Sequence, residues 1–277
     1  MPVTRRAALK TLLAGAVGVG TGVIGHGFAY ERYHLRLVSA ELPVSGLPLA
    51  LDGLRVGFIT DLHHSSYVAQ ADVAAAAGLL MAQRPDLIVL GGDYVSNFDR
   101  RYMQPCADAL ASLSAAHGVF AVLGNHDDDR EMPAALQAYG FAVLKDARTS
   151  VSIRGARLDL VGVRFWTRNV RTIARLLDSA APTTLLLAHD PRRLTQAAEL
   201  AVPAMLSGHT HGGQVVLPGL GAIAARKFPV AYGRLTRGDT EMFVSRGVGT
   251  VYIPLRINCP PEVAVVTLRA RRRATPP

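Results

Sequence analysis

Five short apolar segments constrain the fold of this 277-residue chain most strongly. Each is bounded by polar residues, Gly or Pro, which is typical of strands that are buried on both faces. Ala- and Leu-rich segments long enough for crossover helices, 68–83 and 104–117, separate the first three. The order of strand, helix, strand, helix and strand predicts an α/β fold. The apolar segments are residues 55–60, 86–90, 119–123, 183–187 and 204–207.

A motif rich in Asp, His or Gly follows each of these predicted strands. In open α/β sheets, ligands bind beyond the carboxyl ends of the strands, where the loops converge. We therefore expect all five motifs to meet at one site. They read Asp61-Leu62-His63, Gly91-Gly92-Asp93, Gly124-Asn125-His126-Asp127, Ala188-His189-Asp190 and Gly208-His209-Thr210-His211.

Carboxylate, imidazole and amide side chains in this combination indicate two divalent metal ions that act on a phosphoester. A phosphoester is anionic and resists attack by hydroxide. Two ions about 3.5–4 Å apart bind its oxygens and acidify a bound water. Two like charges at that separation need an anionic bridge, and Asp93 is the candidate. Neutral imidazoles and one amide complete the two shells without making the site too negative for a phosphate.

With these motifs the chain resembles the calcineurin-like metallophosphoesterases. Their signature, D-x-H, G-D, G-N-H-[DE], a lone His and G-H-x-H, is present in this order over roughly residues 54–268. The resemblance implies a four-layer sandwich, in which two mixed β-sheets pack face to face with helices outside. The implied ligands are Asp61, His63 and His211 for one metal and Asn125, His189 and His209 for the other, with Asp93 bridging them.

The resemblance also implies a reaction. Hydroxide formed at the metals would attack phosphorus in line, and His126 would steady the phosphate and protonate the leaving oxygen. Imidazole and carboxylate ligands suit manganese, iron and zinc alike, and we expect manganese. His64 is adjacent to His63, and neighbouring residues of an extended chain point to opposite sides, so His64 is not expected to share its metal.

The N-terminal segment resembles a twin-arginine export signal. Residues 4–10 read Thr-Arg-Arg-Ala-Ala-Leu-Lys, and the apolar stretch 11–29 has no Asp, Glu, Lys or Arg. Export by the twin-arginine machinery to the periplasm, or to the outer face of the bacterial inner membrane, is the favoured interpretation. The alternative is an uncleaved anchor, because the stretch is near the lower length limit for spanning a bilayer. Gly27-Phe28-Ala29 is a candidate cleavage site.

The predicted organisation is a leader over residues 1–29, a lead-in strand or linker over 30–53, one catalytic domain over 54–268 and a basic tail over 269–277. The hydrophobic content of 49% fits a globular chain with a single large core. Cys106 and Cys259 are too few for a disulfide framework. Buried free thiols are the favoured interpretation, with a periplasmic disulfide as the alternative.

The formal net charge of +9 indicates an anionic partner. A phosphoester substrate, which can be lipid-linked, and a membrane surface both fit this charge. Nucleic acid is not expected, because relatives that cut DNA append further domains for holding the duplex. The apolar segment 213–239 follows the last metal motif. It is either a lip that accepts an acyl chain or a pair of sandwich strands.

Three functions remain open from the sequence. The leading one is a phosphodiesterase for a small or lipid-linked phosphoester. Residues 245–249 and 254–262 resemble the closing segment of bacterial membrane-linked or exported phosphodiesterases, some of which are UDP-2,3-diacylglucosamine pyrophosphatases of lipid A synthesis. The second function is such a pyrophosphatase, but that step of lipid A synthesis is cytoplasmic, so an export leader argues against it. The third is a non-catalytic scaffold, but scaffolds of this family typically lose ligands, and none is lost here.

Overall fold

The computed structural model describes residues 4–181 and 183–271. In this part of the chain the helices are α1 (Arg5–Ala29), α2 (Gln70–Met81), α3 (Met103–Leu110), α4 (Glu131–Gln137), α5 (Val170–Leu177) and α6 (Leu194–Glu199). The strands are β1 (Arg36–Val44), β2 (Arg55–Ile59), β3 (Leu87–Leu90), β4 (Val119–Ala121), β5 (Ala142–Val143), β6 (Ala147–Ile153), β7 (Ala156–Val163), β8 (Thr184–Ala188), β9 (Ala204–Ser207), β10 (Val216–Leu217), β11 (Gly221–Ala222), β12 (Gly233–Arg237), β13 (Thr240–Val244) and β14 (Glu262–Ala270).

Two mixed sheets form the centre of the fold. The first has the order β1-β14-β2-β3-β4-β5, in which β14 is antiparallel to β2 and the strands from β2 to β5 are parallel. The second has the order β12-β13-β9-β8-β7-β6, with antiparallel pairs at its two edges. In both sheets the parallel strands carry the motifs, so the motif loops lie at the same end of each sheet.

Three apolar clusters define the layers. The central cluster lies between the sheets, where Phe58 of β2 meets Phe243 of β13 edge to face at 6.5 Å. A second cluster packs α2, α3 and α4 on the outer face of the first sheet. A third packs α5 and α6 on the outer face of the second sheet. The order helices, sheet, sheet, helices confirms the predicted four-layer sandwich.

Alternation along the parallel strands explains this layering. In β3, Leu87 and Val89 enter the central cluster, whereas Ile88 and Leu90 face the helices. Successive strand residues point to opposite faces, so a strand covered on both sides must be apolar throughout. The short apolar runs of the sequence are therefore buried strands, as predicted.

The predicted helix over 104–117 is wrong in its second half. The helix ends at Leu110, and His117 lies in a turn before β4. Serine side chains at 112 and 114 compete for backbone hydrogen bonds, and Gly118 takes a left-handed conformation with φ of 95°. Both features disfavour a continued helix, although Leu113 remains buried in the outer cluster.

The segments flanking the catalytic domain take part in the fold. Of the two alternatives for 30–53, the strand is observed, since β1 pairs in parallel with β14 at the sheet edge. At the other end, β14 continues through Ala270, and Arg271 forms an ion pair with Glu241 at 2.6 Å. Residues 272–277 of the predicted tail, and residues 1–3 of the predicted leader, lie outside the described residues.

The N-terminal helix is long and apolar enough to cross a membrane. The stretch Leu9–Tyr33 has a mean hydropathy of 1.5 and is almost entirely exposed. Length and composition alone fit a signal sequence as well as an anchor.

Candidate metal centre

The motif loops of both sheets meet at one end of the sandwich. Those after β2, β3 and β4 come from the first sheet, and those after β8 and β9 come from the second. The structure brings all seven predicted ligands and His126 together there. The contacts that join the loops run between Asp61, His63, Asp93, His126, His189, His209 and His211.

One group of ligand atoms is formed by Asp61, His63, Asp93 and His211, all within 4.8 Å of one another. Nε2 of His63 faces Nε2 of His211 at 3.0 Å. Carboxylate oxygens of Asp93 and Asp61 lie 3.4 and 3.3 Å from these two nitrogens, respectively. Two imidazole nitrogens and two carboxylates that converge in this way are a donor set suited to a divalent cation.

The second group shares Asp93 with the first. It contains Asp93, His189 and His209, whose ligand atoms also lie within 4.8 Å of one another. Nε2 of His189 is 3.1 Å from Oδ2 of Asp93, and Asn125 lines the same cavity as Asp93 and His209. Because Asp93 belongs to both groups, its position fits the bridging role that the resemblance implies.

Two buried polar atoms among the described residues support this arrangement. Oδ1 of Asn125 has no hydrogen-bond partner, and Nε2 of His189 makes no hydrogen bond of good geometry although it lies 3.1 Å from Oδ2 of Asp93. A buried polar atom without a partner costs about 1–3 kcal/mol, so such atoms are rarely tolerated without a reason. Coordination of a cation supplies one. The residues present therefore fit two divalent ions.

The backbone at the site is strained. Non-glycine residues rarely adopt positive φ, and each such residue costs of order 1–3 kcal/mol. Hydrogen bonds to the adjacent loop hold Asp61 and His63 in this conformation: Asp61 N–H donates to Gly92 O at 2.9 Å and His63 N–H donates to Asp93 O at 3.0 Å. Positive φ occurs at Asp61 (54°), His63 (49°), Asp93 (55°), His209 (72°) and His211 (51°).

Two motif glycines are required by close approach rather than by φ. A Cβ on Gly124 would collide with the carboxylate of Asp93. One on Gly208 would collide with the carboxylate of Asp61, which accepts hydrogen bonds from the N–H of His209 at 2.9 and 3.0 Å. The glycines thus let the loops of different strands approach the shared carboxylates.

Hydrogen bonds to Nδ1 orient three of the imidazoles. Gly91 O lies 2.8 Å from Nδ1 of His189, and Ser96 Oγ lies 3.2 Å from Nδ1 of His63. Both contacts leave Nε2 free to bind a metal, the usual arrangement of metal-binding histidines. Nδ1 of His126 instead accepts the backbone N–H of Asn97 at 3.0 Å. The proton of the neutral His126 ring is therefore on Nε2.

The electrostatics favour bound positive charge. Burial raises the pKa of Asp93, but the charges of His189 and His63 outweigh it and hold that pKa well below its usual value. Burial lowers the pKa of His189, but Asp93 and Asp61 outweigh it and raise the pKa to about 10. Burial, together with His189, lowers the pKa of His209 to about 3. The carboxylates of Asp93 and Asp61 thus favour a positive charge beside them.

Asp127 is a structural part of the site. Its buried carboxylate accepts hydrogen bonds from the N–H groups of Asp93 and Tyr94 at 2.7 Å and of Gly124 at 2.8 Å. Burial, with Asp93, raises the pKa of Asp127 to about 7. The residue ties the second motif loop to the third.

Arg256 was not predicted as a site residue. Its side chain is fully buried and donates to the carbonyl oxygens of Gly249 (2.6 Å), Arg246 (3.0 Å) and Cys259 (3.0 Å). The loop that it fixes covers the first motif, since Gly249 N–H donates to Asp61 O at 2.7 Å. The one signal in the sequence is its position within the closing segment 254–262.

Two further predictions are confirmed. Nδ1 of His64 contacts Val68 O at 2.8 Å, and the ring packs edge-on against Tyr102, outside both ligand groups. Cys106 and Cys259 are buried free thiols. Sγ of Cys259 lies 3.3 Å from the carbonyl oxygen of His211, so this thiol packs beneath the last motif.

A cavity of about 530 Å³ opens beside the ligands. One wall is polar and includes Asp93, Asn125 and His126. The segment 213–239 is divided: Gly233–Arg237 is the edge strand β12, as the alternative of sandwich strands predicted, and residues before it, together with 251–253, form the other wall of the cavity. Binding of an acyl chain there stays a prediction. The apolar residues of that wall include Val215, Leu217, Ile223, Phe228, Val251 and Ile253.

Such a sandwich, with Asp, His and Asn gathered at its strand ends, defines a metallophosphoesterase. The model of the calcineurin-like phosphoesterase family matches residues 54–213, and the chain belongs to this family. It is therefore an enzyme that hydrolyses phosphoric esters, as predicted.

Individual relatives of the chain are named metallophosphoesterase or phosphodiesterase. The uncharacterized metallophosphoesterase YkuE of Bacillus subtilis is 30% identical over 97% of this chain and 98% of its own length. Phosphodiesterase YaeI of Escherichia coli is 32% identical over 77% of this chain and 82% of its own. Among solved structures, the NAD nucleotidase NadN of Haemophilus influenzae superposes with a TM-score of 0.50 at 15% identity. It covers 70% of this chain and 45% of its own, and it shows the fold alone.

Proposed function

We propose that the enzyme is a phosphodiesterase that uses two divalent cations to hydrolyse a small or lipid-linked phosphodiester. The observation that carries this proposal is the pair of ligand groups that share Asp93 and lie beside His126 in one cavity. The name of the relative YaeI, a phosphodiesterase, supports the choice of a diester.

We assign the ligands as the resemblance implies, with Asp61, His63 and His211 on one ion, Asn125, His189 and His209 on the other, and Asp93 between them. When bound, the cations supply positive charge for the phosphate oxygens and acidify a coordinated water. The carboxylate and imidazole donors suit manganese, iron and zinc, and manganese is our first choice.

His126 acts on the leaving group in this proposal. Its Nε2 carries the proton because Nδ1 accepts from Asn97. Its ring lies edge-on to that of His63 at 4.9 Å, which places it at the border of the ligand cluster and the open cavity. From there its Nε2–H hydrogen-bonds a phosphate oxygen and then the departing alkoxide, which takes this proton as the ring regains one from water. Burial lowers the pKa of the His126 imidazolium and so favours the neutral ring at pH 7.

The second ester arm of a diester has a place in the cavity. The apolar wall around Leu217, Ile223 and Val251 is suited to an acyl or other hydrocarbon group, and Lys227 adds a positive charge beside it. A monoester would leave this wall exposed to water. The shape and composition of the cavity therefore favour a diester with one apolar arm.

The location is also a proposal. The pair Arg5 and Arg6, followed by the apolar α1, supports twin-arginine export to the outer face of the inner membrane. The exposed positive charge of the enzyme would suit anionic phospholipid headgroups there.

The test uses the full-length chain in detergent, stripped of metal and reloaded with Mn²⁺, Fe²⁺ or Zn²⁺. Substrates are bis-p-nitrophenyl phosphate, p-nitrophenyl phosphate, phosphatidylglycerol and UDP-2,3-diacylglucosamine. We expect metal-dependent hydrolysis, with the diesters preferred over the monoester. Preference for the monoester would overturn the diester assignment, and preference for UDP-2,3-diacylglucosamine would favour the pyrophosphatase. No hydrolysis with two ions bound would overturn the proposal as a whole.

A further inference from the structure

The C-terminal end of α1 packs on the catalytic domain. Gly27 is buried, whereas the described side chains in the rest of α1 are exposed. Its carbonyl accepts the N–H of Arg256 at 3.3 Å, and a Cβ at this position would collide with Arg256 O. Four residues on, Glu31 accepts the N–H of Cys259 at 2.6 Å. The end of the helix is thus seated on residues 255–259, which we term the strap.

The strap is hydrogen-bonded to the apolar wall of the cavity. Ile257 N–H donates to Gln214 O at 2.8 Å, and Val216 N–H donates to Ile257 O at 2.9 Å. The side chain of Gln214 in turn accepts from Val251 N–H at 2.6 Å. Helix end, strap and cavity wall are therefore one connected unit, and the helix leaves the domain beside the mouth of the cavity.

Apolar side chains project from the same unit. Tyr252 is 81% exposed and Leu220 is 57% exposed, and Ile223 and Ile253 are also exposed. We term these four residues the lip. Exposed apolar clusters of this kind mark surfaces that contact a partner or a membrane. Arg226, exposed beside the lip, donates to Leu220 O at 3.0 Å and adds a cation suited to anionic lipid headgroups.

The end of the helix carries the residues of a membrane interface. Phe28, Tyr30 and Tyr33 are exposed, and the guanidinium of Arg32 lies over the rings of Phe28 and Tyr33. Aromatic side chains collect at the headgroup level of a bilayer. The uncharged part of α1, residues 11–29, rises about 28 Å at 1.5 Å per residue, close to the roughly 30 Å of a hydrocarbon core.

We propose that α1 is retained as a membrane anchor and that the lip rests on the bilayer surface, so that the cavity opens toward the lipid. The candidate cleavage site at residues 27–29 is helical and begins at the buried Gly27, whereas a peptidase needs an accessible extended segment. This inference rests on the proposed function in one respect: a lipid phosphodiester would enter the cavity directly from the membrane.

Depth measurements test the bilayer contact without relying on activity. A nitroxide label is placed on the full-length Leu220→Cys variant in vesicles of phosphatidylcholine and phosphatidylglycerol, and Cys106 and Cys259, being buried, stay unlabelled. The matched control is Leu49→Cys, since Leu49 is 85% exposed and lies beyond the far end of β1 from the helix. We expect oxygen to relax the label at 220 and water-soluble nickel to relax the label at 49. A label at 220 as aqueous as that at 49 would overturn the contact.

Retention of the helix has its own test. The intact mass of the chain recovered from the membranes of an export-competent bacterial host should include α1, and an N-terminus at Tyr30 would overturn retention. The contact between the end of α1 and the strap is tested by the variant Gly27→Leu. The matched control is Gly20→Leu, because no atom lies within 4 Å of a Cβ at Gly20. Trypsin should cleave after Arg32 several-fold faster in the Gly27 variant alone. Equal cleavage rates in the two variants would show that Gly27 does not hold the end of α1 on the strap.

The lipid-access step is tested by activity. Leu220 does not line the cavity, so Leu220→Glu should keep the hydrolysis of soluble bis-p-nitrophenyl phosphate while losing several-fold on phosphatidylglycerol vesicles. The control Leu49→Glu should keep both. Equal vesicle hydrolysis by the two variants would overturn lipid access. If no diester is hydrolysed while the label at 220 is immersed, the proposed function fails and the bilayer contact stands.

Discussion

The carboxylate of Asp127 accepts the backbone N–H of Asp93 at 2.7 Å, so the fourth residue of one motif holds the bridging candidate of another. The same oxygen accepts from Gly124 N–H at 2.8 Å. Because φ at Asp93 is 55°, this unfavourable backbone conformation needs such support. Asp127 does not line the cavity, so its effect on catalysis would pass through the placement of Asp93.

Asp127→Asn should therefore destabilise both the fold and the metal centre. The amide replaces one acceptor oxygen with a donor that faces backbone N–H groups, at a cost of about 1–3 kcal/mol. Urea unfolding and metal analysis measure the two effects. The control is Asp129→Asn, two residues on, where the carboxylate is exposed and pairs with Lys145 and Arg164. Equal stability and metal content in the two variants would show that Asp127 is not structural.

His126→Ala should leave the metal content intact and lower turnover by about 10²–10⁴, the usual contribution of a general acid. The loss should be larger for an alkyl leaving group than for p-nitrophenolate, which departs without a proton. The control is His64→Ala, a buried histidine outside both ligand groups. If both leaving groups lose turnover equally, His126 binds the phosphate but donates no proton.

The variants Asp93→Asn and Asn125→Ala should differ in the number of metal ions that they retain. Asp93 belongs to both ligand groups, so its loss should remove both ions. Asn125 contributes one oxygen to one ion in our assignment, so its loss should remove one ion and leave the other. Metal counting by mass spectrometry of the purified variants distinguishes the two. Retention of two ions by Asp93→Asn would exclude the bridge.

The sequence predicted the five strands that carry the motifs because these are buried on both faces and have no polar alternation to obscure them. It also predicted which side chains meet, since the ends of parallel strands share one edge of a sheet. Arg256 could not be found this way. Its role depends on carbonyl oxygens of the loop 246–259, and backbone groups leave no mark in a sequence.

The position of α1 could not be predicted for a similar reason. Its apolar residues indicate only that it can enter a membrane. Contact with the domain depends on Gly27, the one glycine of the helix that faces a tertiary neighbour within 4 Å. Gly15, Gly18, Gly20, Gly22 and Gly25 look the same in the sequence. Only the tertiary structure shows which glycine contacts the domain and which lie in the exposed part of the helix.

Stability should depend on pH through Asp159, far from the metal centre. Burial raises the pKa of Asp159, but hydrogen bonds from Arg157 and Ser150 and from Ala181 N–H outweigh it and hold the pKa below its usual 3.8. A carboxylate with a lowered folded-state pKa stabilises the fold above its unfolded pKa, and this stabilisation is lost as the pH falls through the folded-state value. Urea unfolding of Asp159→Asn should therefore show a deficit at pH 7 that shrinks below pH 3.8. A deficit that is constant across this range would mean that packing, and not the charge of Asp159, stabilises the β6–β7 hairpin.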